Sequence, residues 1–171
     1  VTKSATEIPH YPSLTPMIYS KFLFSKIGFD APHGFTLVSD RHVYTNGATL
    51  FGWGKGDSVK STLIFGSRSL PFFRLSSHYA DTPATFHALM HEGNYEVMIH
   101  AGTITSYYTN KKGREYKMTI SANGEELVRD LVVESDKPYI GRFDVKVGKD
   151  NQLNIDFSGK WGVSVIEIYR K

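Results

Sequence analysis

The sequence predicts an all-β domain, a jelly-roll β-sandwich, and three observations carry that prediction. Apolar and polar residues alternate with a period of two in run after run. Turn signals separate the runs, at about one strand per 8 to 12 residues in the second half. The chain of 171 residues, 40% hydrophobic and 13% aromatic, is one domain in length and has ample material for a packed core.

Taken in order, the chain opens with "VTKSATEIPHYPSLTP", which has three prolines, no apolar core and no small-residue cleavage pattern. Residues 1–19 are therefore expected to be an extended lead-in or linker, and residues 20–171 a single β-sandwich domain. The first strand is expected around "KFLFS". The glycine-rich stretch from Gly47 to Gly66 matches neither a phosphate loop nor a dinucleotide fingerprint, because no strand, glycine loop and helix surround it. Its glycines are expected to serve turns and close backbone packing.

The segment "DTPATFHALMHEG" admits two readings. Thr82 as N-cap, Pro83 at the first helical position, apolar Phe86, Leu89 and Met90 and a terminal Gly93 describe a short helix. The alternative is a strand from Ala84 to Met90, with Phe86, Ala88 and Met90 on one face and Thr85, His87 and Leu89 on the other, running into a turn at Gly93-Asn94. The strand is preferred because its neighbours are strands and tertiary context overrides short helical signals.

The later strands are plainer. Tyr95, Val97 and Ile99 alternate with Glu96, Met98 and His100, and Phe143, Val145 and Val147 with Asp144 and Lys146. Leu153, Ile155 and Phe157 alternate with Asn154 and Asp156. Each such run can bury one face, and Val97, Ile99, Met118, Ile120, Phe143, Val145, Leu153 and Ile155 are expected to face the core. Asn110 to Gly113, Asn123-Gly124, Lys137-Pro138, Lys149 to Asn151 and Ser158-Gly159 read as turns.

Composition excludes several chemistries. Without cysteine there are no disulfides, thiolate nucleophiles or cysteine-ligated metal sites. The net charge is only +3, and the basic cluster Lys111, Lys112, Arg114 and Lys117 reads as a solvated turn and strand, since no basic face interleaved with aromatics accompanies it. Neither nucleic acid nor membrane is expected as a partner, and no apolar run is long enough to span a bilayer.

A search for catalytic groups finds little. The nearest approach to a nucleophile elbow, "FGSRS" at residues 65–69, lacks the second glycine. His87 and His91 stand four apart without the zinc-protease pattern. Asp30, Asp40, Asp57, Glu92, Asp144 and Asp156 are explained as turn caps or polar strand faces. No catalytic residue, metal site or cofactor is implied, and a small lyase or esterase using tyrosine or histidine as base is the least supported reading.

The aromatic inventory is more informative, since Trp53, Phe72, Phe73, Tyr107, Tyr108 and Trp161 fall at or near expected strand ends. Aromatic rings there suit the C–H face of a pyranose, while amides, carboxylates and basic donors meet its hydroxyls. Trp53 also reads as core, because Leu50 and Phe51 precede it. Tyr107 and Tyr108 are hard to bury together, because adjacent strand residues face opposite ways.

The runs "KFLFSKIGFDAPHGFTLVSD", "LFGWG", "ATFHALMHEGNYEVMIHAG", "YKMTISANGEELVRDL" and "LNIDFSGKWGVSVIEIYRK" occur in an order that resembles the galactose-binding-like β-sandwich modules related to malectin. The resemblance covers residues 20–171, and its most specific elements are Phe86 to Val97 and the Asn123-Gly124 hairpin. It implies a carbohydrate pocket lined by Tyr107 and Tyr108, with a loop after Phe157 holding Ser158, Gly159, Lys160 and Trp161. Where that loop often carries an acid, this chain has a lysine, so an acidic sugar is favoured over a neutral one, with Arg114 contributing. The first strand departs as well, reading Phe22-Leu23-Phe24-Ser25 where such modules often begin F-D-F-G. Such sandwiches sometimes hold a structural calcium, but no EF-type loop is present.

The resulting expectation is a non-catalytic carbohydrate-binding module within a secreted, periplasmic or cell-surface polysaccharide-degrading enzyme. Its expected partners are an oligosaccharide or polysaccharide and a neighbouring catalytic domain. Its expected binding residues are Tyr107, Tyr108, Lys160, Trp161, Trp53 and Arg114. The alternative is a structural sandwich that braces a catalytic domain without touching sugar.

Overall fold

The structure, a computed structural model, describes residues 14–26, 30–63, 76–102, 115–134 and 139–171. Among them there are eleven strands and no helix: β1 (Tyr19–Ser25), β2 (Thr36–Ser39), β3 (Phe51–Trp53), β4 (Lys60–Leu63), β5 (Ser76–Ala80), β6 (Ala84–Leu89), β7 (Gly93–Ala101), β8 (Glu115–Ala122), β9 (Glu125–Glu134), β10 (Tyr139–Val147) and β11 (Gln152–Arg170). The fold is an all-β sandwich, as the period-two pattern requires.

One layer runs β10-β7-β11-β1-β2, with β5 also on β11 and β4 on β5. The other layer runs β3-β6-β11-β8-β9. The long strand β11 belongs to both. Its first half, Gln152 to Lys160, pairs with β6 and β8, and its second half, from Trp161, pairs with β5, β7 and β1.

This arrangement corrects the loop expected at Ser158 to Trp161. Ser158, Gly159 and Lys160 pair with Thr119, Met118 and Lys117 of β8, so the strand continues where the sequence signals a turn. Gly159 (φ +78°) supplies the bend by which β11 leaves one layer and enters the other, a conformation unfavourable for residues with a Cβ.

The disputed segment is strand β6, with Ala84, Phe86 and Ala88 buried and Thr85, His87 and Leu89 partly exposed. It is hydrogen-bonded on both sides, to β3 and β11, and those ladders outweigh the local helical signal. The turn after it comes earlier than expected. Gly93 and Asn94 already pair with Val147 and Lys146, so the chain reverses at His91-Glu92. The hairpin at Asn123-Gly124 forms as read: both residues have positive φ (48° and 82°), and the loop joins Ala122 to Glu125 in two residues. Met17, within the segment read as a lead-in, pairs with Met90, its N–H donating to the Leu89 carbonyl at 2.9 Å.

Of the expected core positions, Val97, Ile99, Met118, Ile120, Val145, Leu153 and Ile155 are buried, and Phe143 is partly buried against them. The centre between the layers is aromatic. Trp53 meets Phe24, Phe86, Phe157 and Trp161 at centroid distances of 5.3–6.0 Å, and Phe157 stacks on Trp161 at 5.1 Å. Gly52 in β3 shows the close packing expected of the glycine-rich stretch: a Cβ there would lie 2.6 Å from the Tyr44 nitrogen.

Within this centre His78 is buried. Its Nδ1 accepts the Trp53 indole N–H at 2.9 Å, leaving Nε2, 2.8 Å from the Ser25 carbonyl, as the donor. Both contacts suit the neutral imidazole, and burial pushes its pKa from 6.5 down to about 4. The folded state therefore resists a proton that the unfolded chain accepts below pH 6.5. The stability tied to this group is intact above pH 6.5 and is lost as pH falls toward 4, by about 3 kcal/mol in all. Urea denaturation at several pH values should show this decline in the parent and a shallower one in His78→Gln. Parallel profiles would assign the pH dependence to other groups.

Candidate functional site

The six sequence-derived residues separate into three groups. Tyr107, Tyr108 and Arg114 lie outside the described residues. Trp53 and Trp161 are core residues, 2% and 0% exposed, and present no free ring face to a ligand. This corrects both as sugar contacts. Trp161 lies within β11, not at a strand end, and both indoles are held inward, Trp161 by donating to the Thr82 carbonyl at 2.9 Å. Lys160 is exposed and lines a pocket.

That pocket, of about 220 Å³, is lined by Lys60, Tyr79, Ala80, Asp81, Tyr116 and Lys160. It arises from strand order. β5 lies between β4 and β11, with Lys60 opposite Tyr79 and Trp161 opposite Ala80. One step beyond the latter pair, Asp81 at the exit of β5 is level with Lys160. Lys160 in turn pairs with Lys117 of β8, which brings the neighbouring Tyr116 alongside. Ala80 and Tyr116 are buried, Tyr79 is partly exposed, and Lys60, Asp81 and Lys160 are exposed. Trp161 supports this wall from within, because its bond to Thr82 ties the turn that follows Asp81 to β11.

Lys60, Asp81 and Lys160 have no ion-pair partner among the described residues, whereas several polar groups elsewhere are engaged in the fold. Near the β10–β11 turn, Asn123 donates to the Lys146 carbonyl and accepts from the Asn154 N–H, at 2.9 and 2.8 Å, and Lys171 pairs with Asp144. His87 Nδ1 lies 2.7 Å from Asn154 Oδ1 and its ring stacks on Tyr44, while His91 Nδ1 lies 3.2 Å from the Glu92 carbonyl. Asp57 accepts the Thr85 N–H, and Asp156 the Thr85 hydroxyl.

A further titratable cluster joins β1, β7 and β11 on the outer face of their layer. Glu167 accepts the Tyr169 hydroxyl at 2.9 Å and lies 3.4 Å from both Lys21 Nζ and His100 Nε2. Burial lowers the His100 pKa, against the opposing pull of Glu167. The Ser164 hydroxyl points to the His100 backbone carbonyl at 3.3 Å, so this serine and histidine do not form a nucleophile–base contact. The cluster ties strands together through a shared carboxylate.

Lys60, Tyr79 and Asp81 carry no local motif. Only the pairing of β4, β5 and β11 joins them to Lys160. The one local hint is "YADTP", a tyrosine and an aspartate at a strand exit before a proline.

No family model and no curated protein matches the sequence. Solved structures do match in fold. A Bacillus subtilis protein aligns with 90% of this chain at a TM-score of 0.63 and 16% identity. The ANXUR2 extracellular domain from Arabidopsis thaliana aligns with 90% at 0.62 and 11%, and a calcium-binding mutant of Bacteroides uniformis β-glucuronidase 2 with 90% at 0.60 and 15%. The chain spans 40%, 41% and 18% of those three proteins. The likeness is one of fold, an all-β sandwich.

Proposed function

We propose that this chain is a non-catalytic carbohydrate-binding module whose sugar site is the pocket of Lys60, Tyr79, Asp81 and Lys160. The observation that carries this reading is the convergence, at one end of the sandwich, of a partly exposed tyrosine ring with a carboxylate and two ammonium groups that the described fold leaves unpaired. A ring face for C–H groups and charged partners for hydroxyls are what a pyranose requires. Tyr107, Tyr108 and Arg114, in the stretch of sequence just before Tyr116, are proposed to extend the site. A place within a larger extracellular polysaccharide-active protein is supported by the longer neighbours, which include an extracellular domain and a β-glucuronidase.

A glycan array followed by calorimetric titration tests the reading. Tyr79→Ala and Asp81→Asn should each weaken binding of the selected glycan about tenfold or more, on the scale of one aromatic or charged contact, with the melting temperature nearly unchanged. The same titration applies to Tyr107→Ala and Tyr108→Ala. The burial of both tryptophans favours a second reading, a sandwich that only braces a neighbouring domain. An array with no bound glycan would select it.

A further inference from the structure

Resting on the carbohydrate reading of this pocket, we infer that it selects an anionic pyranose, a uronate, and that Lys60 and Lys160 hold the sugar carboxylate. The two lysines reach the pocket from opposite sides, because β4 and β11 flank β5. Tyr79 and Asp81, both contributed at the end of β5, lie between them. Among the described lining residues two positive charges face one negative charge, a net charge of +1 toward a ligand. Neither ammonium is committed elsewhere among the described residues. Lys117, the cross-strand neighbour of Lys160, is by contrast engaged with Asp130 at 3.7 Å.

Size and chemistry agree with this choice. A volume of about 220 Å³ is below the roughly 300–1,000 Å³ of sites for larger ligands and suits a single ring. A carboxylate between ammonium groups accepts charge-assisted hydrogen bonds, about twice as strong as those a neutral hydroxyl or ester accepts. The Asp81 carboxylate then takes the part left to it, accepting hydroxyl protons from the same ring. Against a neutral sugar, the two lysines would each surrender part of a hydration shell for weaker bonds. Selectivity therefore arises as much from discouraging neutral ligands as from attracting anionic ones.

The discriminating probes are trigalacturonate, its methyl ester, which keeps every ring and hydroxyl but removes the charge, and maltotriose. Calorimetry at about 50 mM salt should show the free acid binding about tenfold or more tightly than the ester, with the gap closing near 1 M salt as screening shortens the reach of the lysines. Lys60→Gln and Lys160→Gln should each weaken the acid several-fold more than the ester, and the double variant should bind both alike. Equal affinity for acid and ester in the parent overturns the inference, as does an acid preference that survives in the double variant. Binding of maltotriose alone also overturns it, yet leaves the carbohydrate reading standing. If none of the three binds and the glycan array is blank, the carbohydrate reading itself fails.

Discussion

Trp53→Ala should lower the stability by about 4 kcal/mol, the range for truncating a large buried aromatic. Two losses combine. The indole leaves a void among Phe24, Phe86, Phe157 and Trp161, whose ring contacts are fixed by strands of both layers and cannot all collapse inward. Its N–H also ceases to satisfy His78 Nδ1, leaving a buried acceptor without its donor. For a chain of this length the melting temperature should fall by roughly 10 °C or more. Trp53→Phe should recover part of the packing but not the hydrogen bond, and so fall between. Differential scanning calorimetry of the parent and both variants measures the series, and a Trp53→Ala protein melting within a few degrees of the parent would show that the aromatic centre is less interdependent than its geometry implies.

Gly159→Ala is expected to cost about 3 kcal/mol although the residue is exposed, a position where alanine is ordinarily harmless. The left-handed backbone contributes about 1–2 kcal/mol, since φ is +78°. The remainder is steric, because the new Cβ would lie 2.4 Å from the Lys117 carbonyl oxygen, a backbone atom on β8 that cannot swing away like a side chain. Relief would need β8 and β11 to separate where β11 changes layers. Lys160 and Tyr116 adjoin this point, so the pocket should loosen along with the fold. Chemical denaturation of Gly159→Ala checks the energy, and a change below about 1 kcal/mol would show that the bend tolerates a Cβ.

The sequence disclosed what alternation can disclose. The apolar rows of β7, β10 and β11 and the two-residue hairpin at Asn123-Gly124 follow from local pattern and turn chemistry, whereas β6 runs against its own helical signal and is legible only from the strands on either side. Ser158-Gly159 misled because glycine with positive φ serves both a turn and a bend within a strand, and only the partners on β8 distinguish them. Trp161 misled for the same reason, since placing it beyond the end of a strand made it a surface ring when it is the middle of a strand that enters the core. The pocket was barely legible. Lys60, Tyr79 and Lys160 come together through ladders between β4, β5 and β11, and cross-strand partners so far apart in sequence leave no spacing to read. Lys160 stood out only by resemblance.

The double membership of β11 also constrains the order of assembly. Five strands, β1, β5, β6, β7 and β8, take β11 as a partner, and the register of β1 joins Tyr19 to Tyr169 across almost the whole chain. During synthesis, hairpins such as β8–β9 can close as they emerge, but neither layer gains its middle strand until residues 152–170 have left the ribosome. Until then β6, β7 and β8 present open edges, the templates on which β-rich chains associate wrongly. With so much of the fold resting on contacts between distant parts of the chain, folding should be slow for its size. Made after the ten described strands before it, β11 is the one that turns separate hairpins into a sandwich.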